Sequence, residues 1–410
     1  MAVLSGWLTE VFEQQIPATI LFIVALSAVL SAWFSVGPGK ANQGGRIRSI
    51  FRVSNGWLAL RIVGLIIATL IFFRVGPEAI WSSQTGYIVL YDLAKAILTI
   101  FIFASFLLPL LTDYGLMELV GTLLSRIFKK LFLLPGRSCI DALASWMAAA
   151  PVGVLITSQQ YDCGNYSGRE AAVIATNFSV VSIPFCVIVA EFSGMGHLFV
   201  EYYLTVVVAG LTAALITPRI PPLSRIPDNY SPAGKQLHED EIGKDGIWKA
   251  GLAAAKEKAR SAAGLKSYVH NSLHNLFDIW FGLMPPLIAI GTLGLVVAEY
   301  TPLFEWLSYP LVPLLTLAQL PEASTAAPAL LVGITDMFLP AVLATGIESE
   351  LTRFVVIVVS ITQLIYMTEV GVLILKTAIP LTFLNLLQVF LLRTAISLPI
   401  AIAAGHLIIG

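Results

Sequence analysis

Three carboxylates lie in stretches of the chain that are otherwise apolar: Asp141, Asp336 and Glu369. An ionisable side chain within a membrane segment is costly and is by default a functional candidate. A carboxylate in a low dielectric prefers its neutral form unless it is paired. Binding a proton or a Na⁺ ion would therefore let these groups change charge, which is the chemistry of ion coupling.

Neutral hydrogen-bonding side chains accompany these carboxylates and suit a solute rich in hydroxyl or amide groups. The predicted substrate and ion site comprises Ser138, Asp141, Asn177, Ser179, Ser182, Thr335, Asp336, Gln363, Thr368 and Glu369. Structural roles remain open for all of them. Ser and Thr often bond their own helix backbone, and Asn and Gln often join helices. The carboxylates could equally pair with Arg137, Arg169 or Arg353.

The composition excludes an ordinary soluble enzyme. The 410 residues are 57% hydrophobic and 12% charged, whereas soluble domains carry about 25% charged residues. The net charge of −1 gives no field for nucleic acid. Neither a Walker phosphate loop nor a Ser-His-Asp arrangement is recognisable, so we expect no catalytic activity and no cofactor. His270 and His274 lack a framing carboxylate motif, which favours a solvated helix face over a metal site.

Apolar stretches of about 20 residues predict membrane-spanning helices. With about eight full crossings, the fold class is an all-α polytopic membrane protein. The predicted spans are 16–36, 58–74, 93–112, 169–190, 198–218, 277–298, 352–375 and 381–404. Basic residues in the loop after the first span make that loop cytoplasmic. The N-terminus lacks a basic region, so we expect no cleaved signal peptide.

Two further apolar segments, 136–160 and 322–346, fit this topology only as re-entrant helical hairpins. The first enters from the cytoplasm and the second from outside. Pro151 and Gly153 in the first hairpin, and Pro328 and Pro340 in the second, are suitable helix breakers. Broken helices at membrane depth are tolerated where they line a cavity or are buried in protein.

The two halves of the chain repeat at an offset of 184–186 residues: Leu134-Pro135 aligns with Leu320-Pro321, and Arg169 with Arg353. Each unit contains three crossings, so the second unit is inverted. Inverted repeats with discontinuous helices are typical of secondary transporters, with the site near the midplane. The alternative is a membrane protein whose broken helices serve packing alone.

This repeat divides the chain into four predicted regions. They are the N-terminal helices 1–92, repeat unit 1 at 93–218, a cytoplasmic linker with an amphipathic helix at 219–275, and repeat unit 2 at 276–410.

One region resembles a known domain. The segment from Pro135-Gly-Arg-Ser-Cys-Ile-Asp to Tyr166-Ser-Gly-Arg-Glu, continuing to Asn177-Phe-Ser, looks like the nucleoside-recognition Gate domain. Over about residues 95–405 the chain resembles the YjiH family of bacterial membrane proteins. The Gate domain is similar to parts of the spore maturation proteins and of the concentrative nucleoside transporters. This resemblance implies that Asn177 with Ser179, and Gln363 with Glu369, occupy the place where those transporters hold substrate.

The resulting expectation is a secondary-active transporter of a small polar, nucleoside-like solute in the bacterial inner membrane. Coupling to Na⁺ or H⁺, alternating access and a homo-oligomer are expected with it. Small peptides or amino-acid derivatives are the alternative substrates. A non-transporting scaffold or assembly factor is the alternative role, ahead of a channel or a membrane enzyme. The partners are then the solute and the lipid bilayer.

Overall fold

The computed structural model describes residues 11–36, 50–112, 114–136, 138–147, 150–230, 246–261 and 264–410. Throughout these ranges the regular elements are helices, and one isolated bridge joins Ser167 to Tyr230. Five helices are long and apolar enough to cross a membrane. They are Ile16–Ser35, Asn55–Phe73, Gly196–Arg225, Tyr268–Tyr300 and Phe383–Ile408. The prediction of an all-helical membrane protein is thus confirmed, while the eightfold count stays a prediction.

The α-helices are numbered in chain order. They are α1 Ile16–Ser35, α2 Asn55–Phe73, α3 Glu78–Trp81, α4 Ala94–Thr112, α5 Leu116–Ile127, α6 Ser138–Met147, α7 Ala150–Asp162, α8 Gly168–Asn177, α9 Ile183–Phe192, α10 Phe199–Ile216, α11 Ile247–Ser261, α12 Leu265–Phe277, α13 Met284–Tyr300, α14 Leu303–Ser308, α15 Val312–Leu317, α16 Ala323–Val332, α17 Leu339–Ala344, α18 Glu350–Gln363, α19 Val372–Lys376 and α20 Phe383–Ile408. Four π-helical turns add Ile88–Leu93, Phe128–Phe132, Asp278–Leu283 and Met367–Gly371.

The chain divides into two compact units. The first comprises Met1–Pro109 and Ala263–Leu307. In it α2 packs on both α1 and α13. Arg61 is 3% exposed and donates to Ser31 Oγ at 2.5 Å, so this unit also buries a cation within a candidate span.

The second unit comprises Leu110–Ala262 and Ser308–Gly410. Here α6 packs on α7 and α16 packs on α17, within the two segments predicted to form hairpins, and their re-entrant course in a membrane stays a prediction. In the first hairpin Gly153 faces Ser145 Oγ so closely that a Cβ would collide with the hydroxyl. The small residue therefore permits the close approach of the two hairpin helices.

The hairpins of this unit pack reciprocally. In the first hairpin α7 contacts α8 and also α19, whereas in the second hairpin α17 contacts α18 and also α9. Phe338 of the second predicted hairpin packs against Phe185 (T-shaped) and Phe192 (tilted) of α9 at ring-centroid distances of 6.1 and 4.8 Å. Each hairpin thus holds the first half of one interrupted helix and the second half of the other.

The described parts of the predicted linker, 219–275, contain helices and contact other elements of the chain. Its beginning is held to α8, because Gly168 N donates to Asn229 O at 2.8 Å. Residues 231–245 lie outside the described part. The predicted amphipathic helix is α11, which packs against α5.

Candidate functional site

Two predicted spans, 169–190 and 352–375, are interrupted helices. Helix α8 ends at Asn177, residues 178–182 are non-helical, and α9 then begins. Helix α18 ends at Gln363, residues 364–366 are non-helical, and a π-helical turn follows. We call these interruptions the first and second helix breaks. Pro184, in the first turn of α9, lacks the backbone N–H that a continuous helix would direct at the carbonyl of Val180, so it favours the first break.

The second break contains a strained residue. Leu364 has φ +60°, a region that a bulky L-residue rarely adopts. Such strain costs of order 1–3 kcal/mol and persists where the surrounding structure holds it, commonly at functional sites. Both breaks end a helix on a side-chain amide, and Asn177 and Gln363 lie 186 positions apart, within the offset of the predicted repeat.

Arg393 joins the two breaks. Its Nη1 donates to Asn177 Oδ1 at 2.7 Å, and its Nε donates to Thr362 O at 2.8 Å. Thr217 Oγ1 lies 2.5 Å from the same Asn177 oxygen, and Asn177 Nδ2 donates to Val173 O at 3.2 Å. One guanidinium thus connects the last residue of α8 with the last turn of α18.

Gln363 joins the second break to the second predicted hairpin and to α20. Its Nε2 donates to Leu330 O at 2.8 Å and to Thr394 Oγ1 at 2.9 Å. Its Oε1 is buried and accepts no hydrogen bond, although a buried polar atom without a partner is costly. That oxygen lies against Gly333, where an added Cβ would collide with it. The second hairpin therefore contacts the amide through both α16 and the glycine that follows it.

The position of Arg393 along its helix is near the centre of a candidate span. It lies ten residues after Phe383, the first residue of α20, which is about 15 Å at 1.5 Å per residue. The hydrocarbon core is about 30 Å thick. Arg393 is 1% exposed, and no carboxylate described by the structure forms an ion pair with it. A cation so placed is expected to serve a function.

Asp141 belongs to a separate buried cluster. Tyr166 Oη donates to Asp141 Oδ2 at 2.8 Å, and Thr157 Oγ1 lies 3.5 Å from the same oxygen. Asp141 is 4% exposed, and Tyr166 and Thr157 are completely buried. A carboxylate held by hydroxyl groups at the base of a hairpin helix suits the reversible binding of a cation or proton.

Several predicted site residues make local backbone contacts instead. Ser138, Ser179 and Thr335 donate to the carbonyls of Pro135, Ala175 and Val332 at 2.7, 2.7 and 2.6 Å. Asp336 is buried, and its Oδ1 accepts from Phe338 N at 2.8 Å.

Three predicted site residues remain: Ser182, Thr368 and Glu369. Ser182 precedes α9 as its N-cap residue without a side-chain cap bond. Thr368 and Glu369 are in the turn Met367–Gly371, and their side chains lie outside what the structure describes.

Sequence reasoning missed Arg393, Thr217 and Thr394. The signal for Arg393 was available, because an arginine within an apolar span is itself a functional candidate. Thr217 and Thr394 carried no such signal, since each hydroxyl also bonds its own helix carbonyl, Ala213 O and Phe390 O.

A cavity of about 440 Å³ adjoins the first break. Its walls are mainly apolar side chains of α5, α6 and α10, and Arg393, Asn177 and Thr362 contribute polar lining. The volume falls within the range of small-molecule sites, about 300–1,000 Å³.

Comparisons with known proteins found a domain match and a similar full-length protein. The Gate family model, described as nucleoside recognition, matches residues 94–196. An uncharacterized protein of Alkalihalophilus pseudofirmus is 49% identical over 393 residues, which cover 95% of this chain and 85% of that protein. The chain belongs to the family of this relative. It is a YjiH-like membrane protein that carries a Gate domain. No solved structure matches the chain.

The Gate match begins in α4 and ends after α9. It therefore contains the first hairpin, the Asp141 cluster and the first break with Asn177. The family is associated with transport rather than catalysis.

Proposed function

We propose that the protein is a secondary-active transporter that moves a small polar solute across the bacterial inner membrane by alternating access. The observation that carries this proposal is the buried guanidinium of Arg393, which bridges two helix breaks near the middle of a candidate span. Helix breaks free backbone polar groups for a solute at membrane depth, where continuous helices offer none.

The proposal includes an inverted repeat with two re-entrant hairpins. The matching amides Asn177 and Gln363 and the reciprocal packing of the hairpins on α9 and α19 support it. With three crossings in each repeat unit, the second hairpin enters from the opposite side of the membrane to the first.

Coupling to Na⁺ or H⁺ is assigned to Asp141. Its carboxylate is buried and accepts from Tyr166 Oη, so its occupation by a cation or proton would alter the charge of the first hairpin. Asp336 is a weaker candidate, since its carboxylate bonds the backbone at the start of α17.

A nucleoside-like solute is the substrate that the Gate domain suggests. Small peptides or amino-acid derivatives are the second candidate, and one observation favours them: Arg393 supplies a fixed cation that a carboxylate can neutralise. A scaffold that transports nothing has no need of a buried arginine that no described carboxylate pairs with, because such a charge costs stability.

The direct test is uptake into proteoliposomes under imposed Na⁺ or pH gradients, with nucleosides, dipeptides and amino-acid derivatives as solutes. We expect uptake of one class, driven by one gradient. Arg393→Gln should lower the initial rate at least about tenfold, the value of a buried charge-assisted contact. The exposed Arg225 provides the matched control, and Arg225→Gln should transport normally.

Asp141→Asn separates coupling from transport. Tyr166 can still donate to the amide oxygen, so the hairpin should keep its structure. We expect exchange of solute across the membrane to continue while its dependence on the gradient disappears. If the folded wild-type protein moves no solute of any class, the scaffold function replaces the transporter.

A further inference from the structure

The cavity beside the first break has the chemistry of a site for an amphiphilic anion. Its lining runs from a buried cation to the apolar surface of the unit: Arg393 is 1% exposed, whereas Leu131 and Leu211 are 43% and 47% exposed. In the bilayer such an apolar opening faces acyl chains. A hydroxyl-rich solute would find few polar partners along these walls.

Arg393 has hydrogen-bonding capacity to spare. A guanidinium has five N–H donors, and two of them are engaged, by Thr362 O and Asn177 Oδ1. The remaining donors include both terminal nitrogens, which can bind the two oxygens of a carboxylate side by side. Buried charges are normally paired, yet no described carboxylate pairs with this one.

We propose that the cavity binds an organic carboxylate with an apolar body, whose carboxylate lies on Arg393 and whose apolar part occupies the walls formed by α5, α6 and α10. As the substrate class of the transporter this rests on the proposed function, whereas the binding site itself does not. The ligand supplies a counter-charge that no described carboxylate provides, and it displaces lipid or water from the apolar walls. It enters from the bilayer side of the cavity, between Leu131 and Leu211.

The probe is octanoate, with octanol as the neutral analogue of equal length and octyl phosphate as a second anion. Binding is measured by titration calorimetry on the full chain in lipid nanodiscs. Saturable binding of octanoate at one site, with octanol at least about tenfold weaker, supports the proposal; the difference corresponds to one charge-assisted pair. Equal binding of octanoate and octanol overturns it, because the cavity would then be an apolar groove for lipid.

Octyl phosphate distinguishes the two anionic head groups. If octyl phosphate displaces octanoate at far lower concentration than octanoate itself, the carboxylate assignment is overturned in favour of a phosphate ligand. Weaker competition supports the carboxylate.

Two variants locate the site. Arg393→Met should abolish octanoate binding, but it also removes the cationic donor of Asn177 Oδ1 and so perturbs the fold. Gly210→Leu avoids that difficulty: Gly210 lines the cavity, and its built Cβ meets nothing within 4 Å. The leucine should fill the cavity without a clash and abolish binding, so retained octanoate binding in this variant overturns the assignment.

Gly56→Leu is the matched control. Gly56 is also in a helix with open space around its Cβ, but it belongs to the other compact unit and lines no part of this cavity. Octanoate binding should be unchanged in it. Uptake assays separate binding from transport: octanoate that binds but is not transported overturns this class as the substrate and leaves the binding site in place. Octanoate that fails to bind defeats the site and leaves transport of other solutes to its own test.

Discussion

At the scale of single residues, Asn177 is the residue on which the arrangement of the candidate site depends. Its Oδ1 accepts from Arg393 and lies beside the Thr217 hydroxyl, while its Nδ2 bonds the carbonyl of Val173. One amide therefore orients a buried cation, ends α8 and ties the end of α10 to the first break.

Replacing Asn177 by leucine should destabilise the protein. The substitution keeps the approximate size of the side chain but leaves the Arg393 guanidinium without its acceptor, at a cost of about 1–3 kcal/mol. The apparent Tm of purified protein in detergent should fall. Asn385→Leu in the exposed capping box of α20 is the control and should cost about 1 kcal/mol at most. Equal Tm values for the two variants would contradict the network.

Tyr166→Phe tests the Asp141 cluster. The variant removes the hydroxyl that lies 2.8 Å from Asp141 Oδ2 and keeps the buried ring. A hydrogen bond to a charged group contributes about 1.5–3 kcal/mol, which the variant loses at Asp141. We expect a lower Tm and a weaker ion dependence of transport. Tyr230→Phe, at a partly exposed tyrosine of the linker, should change neither measurement.

At the scale of elements, both predicted hairpins pack against the interrupted helices. Helix α6 has 10 residues and α7 has 13, so each covers roughly 15–20 Å at 1.5 Å per residue, less than a full crossing. Their pairing depends on the close contact of Gly153 with Ser145. The second hairpin instead contacts its break through Gly333 and Gln363.

Gly153→Ala should loosen the first hairpin. The added methyl group overlaps the Ser145 side chain, and overpacking of this kind costs about 1–3 kcal/mol. Thermal unfolding measures the loss. Ser145→Gly in the same chain should restore much of the Tm because it removes both atoms that the methyl group meets. Gly210→Ala is the control for added helix propensity, and failure of the double variant to recover would contradict the packing argument.

At the scale of the whole molecule, the proposed inverted repeat predicts on which side of the membrane each hairpin ends. Labelling of a native cysteine can test this prediction. Cys163 is exposed just after the first hairpin, while Cys139 and Cys186 are buried. Glu348 is exposed just after the second hairpin. If the hairpins enter from opposite sides, Cys163 is cytoplasmic and position 348 is external.

A membrane-impermeant maleimide should therefore label Glu348→Cys in intact cells and leave Cys163 unlabelled. Inside-out vesicles should give the reverse pattern. The wild-type chain, with Cys163 alone accessible, is the internal control for vesicle orientation. Labelling of both positions from one side would remove the inverted repeat and with it the alternating-access proposal.

Some features of the molecule follow from local sequence alone. Long apolar runs have no stable place in water, so five of the predicted spans coincide with helices that are long and apolar enough to cross a membrane. Pro340 lies in the first turn of α17 and Gly333 directly follows α16, so these two residues bound helices as predicted, whereas the predicted breaker Pro328 lies inside α16. Asn177 and Gln363 were recognisable as polar residues in apolar surroundings.

The tertiary structure decided what those residues contact. Hydropathy alone predicts that 169–190 and 352–375 are single spans, because a non-helical break of a few residues hardly changes the apolarity of a segment. Arg393 lowers the apolarity of the last predicted span. In the structure it is the cation that joins both breaks, and it is separated from Asn177 by 216 positions in the sequence. Hydrogen bonds between distant segments depend on three-dimensional packing, and local composition carries no information about which partners will meet.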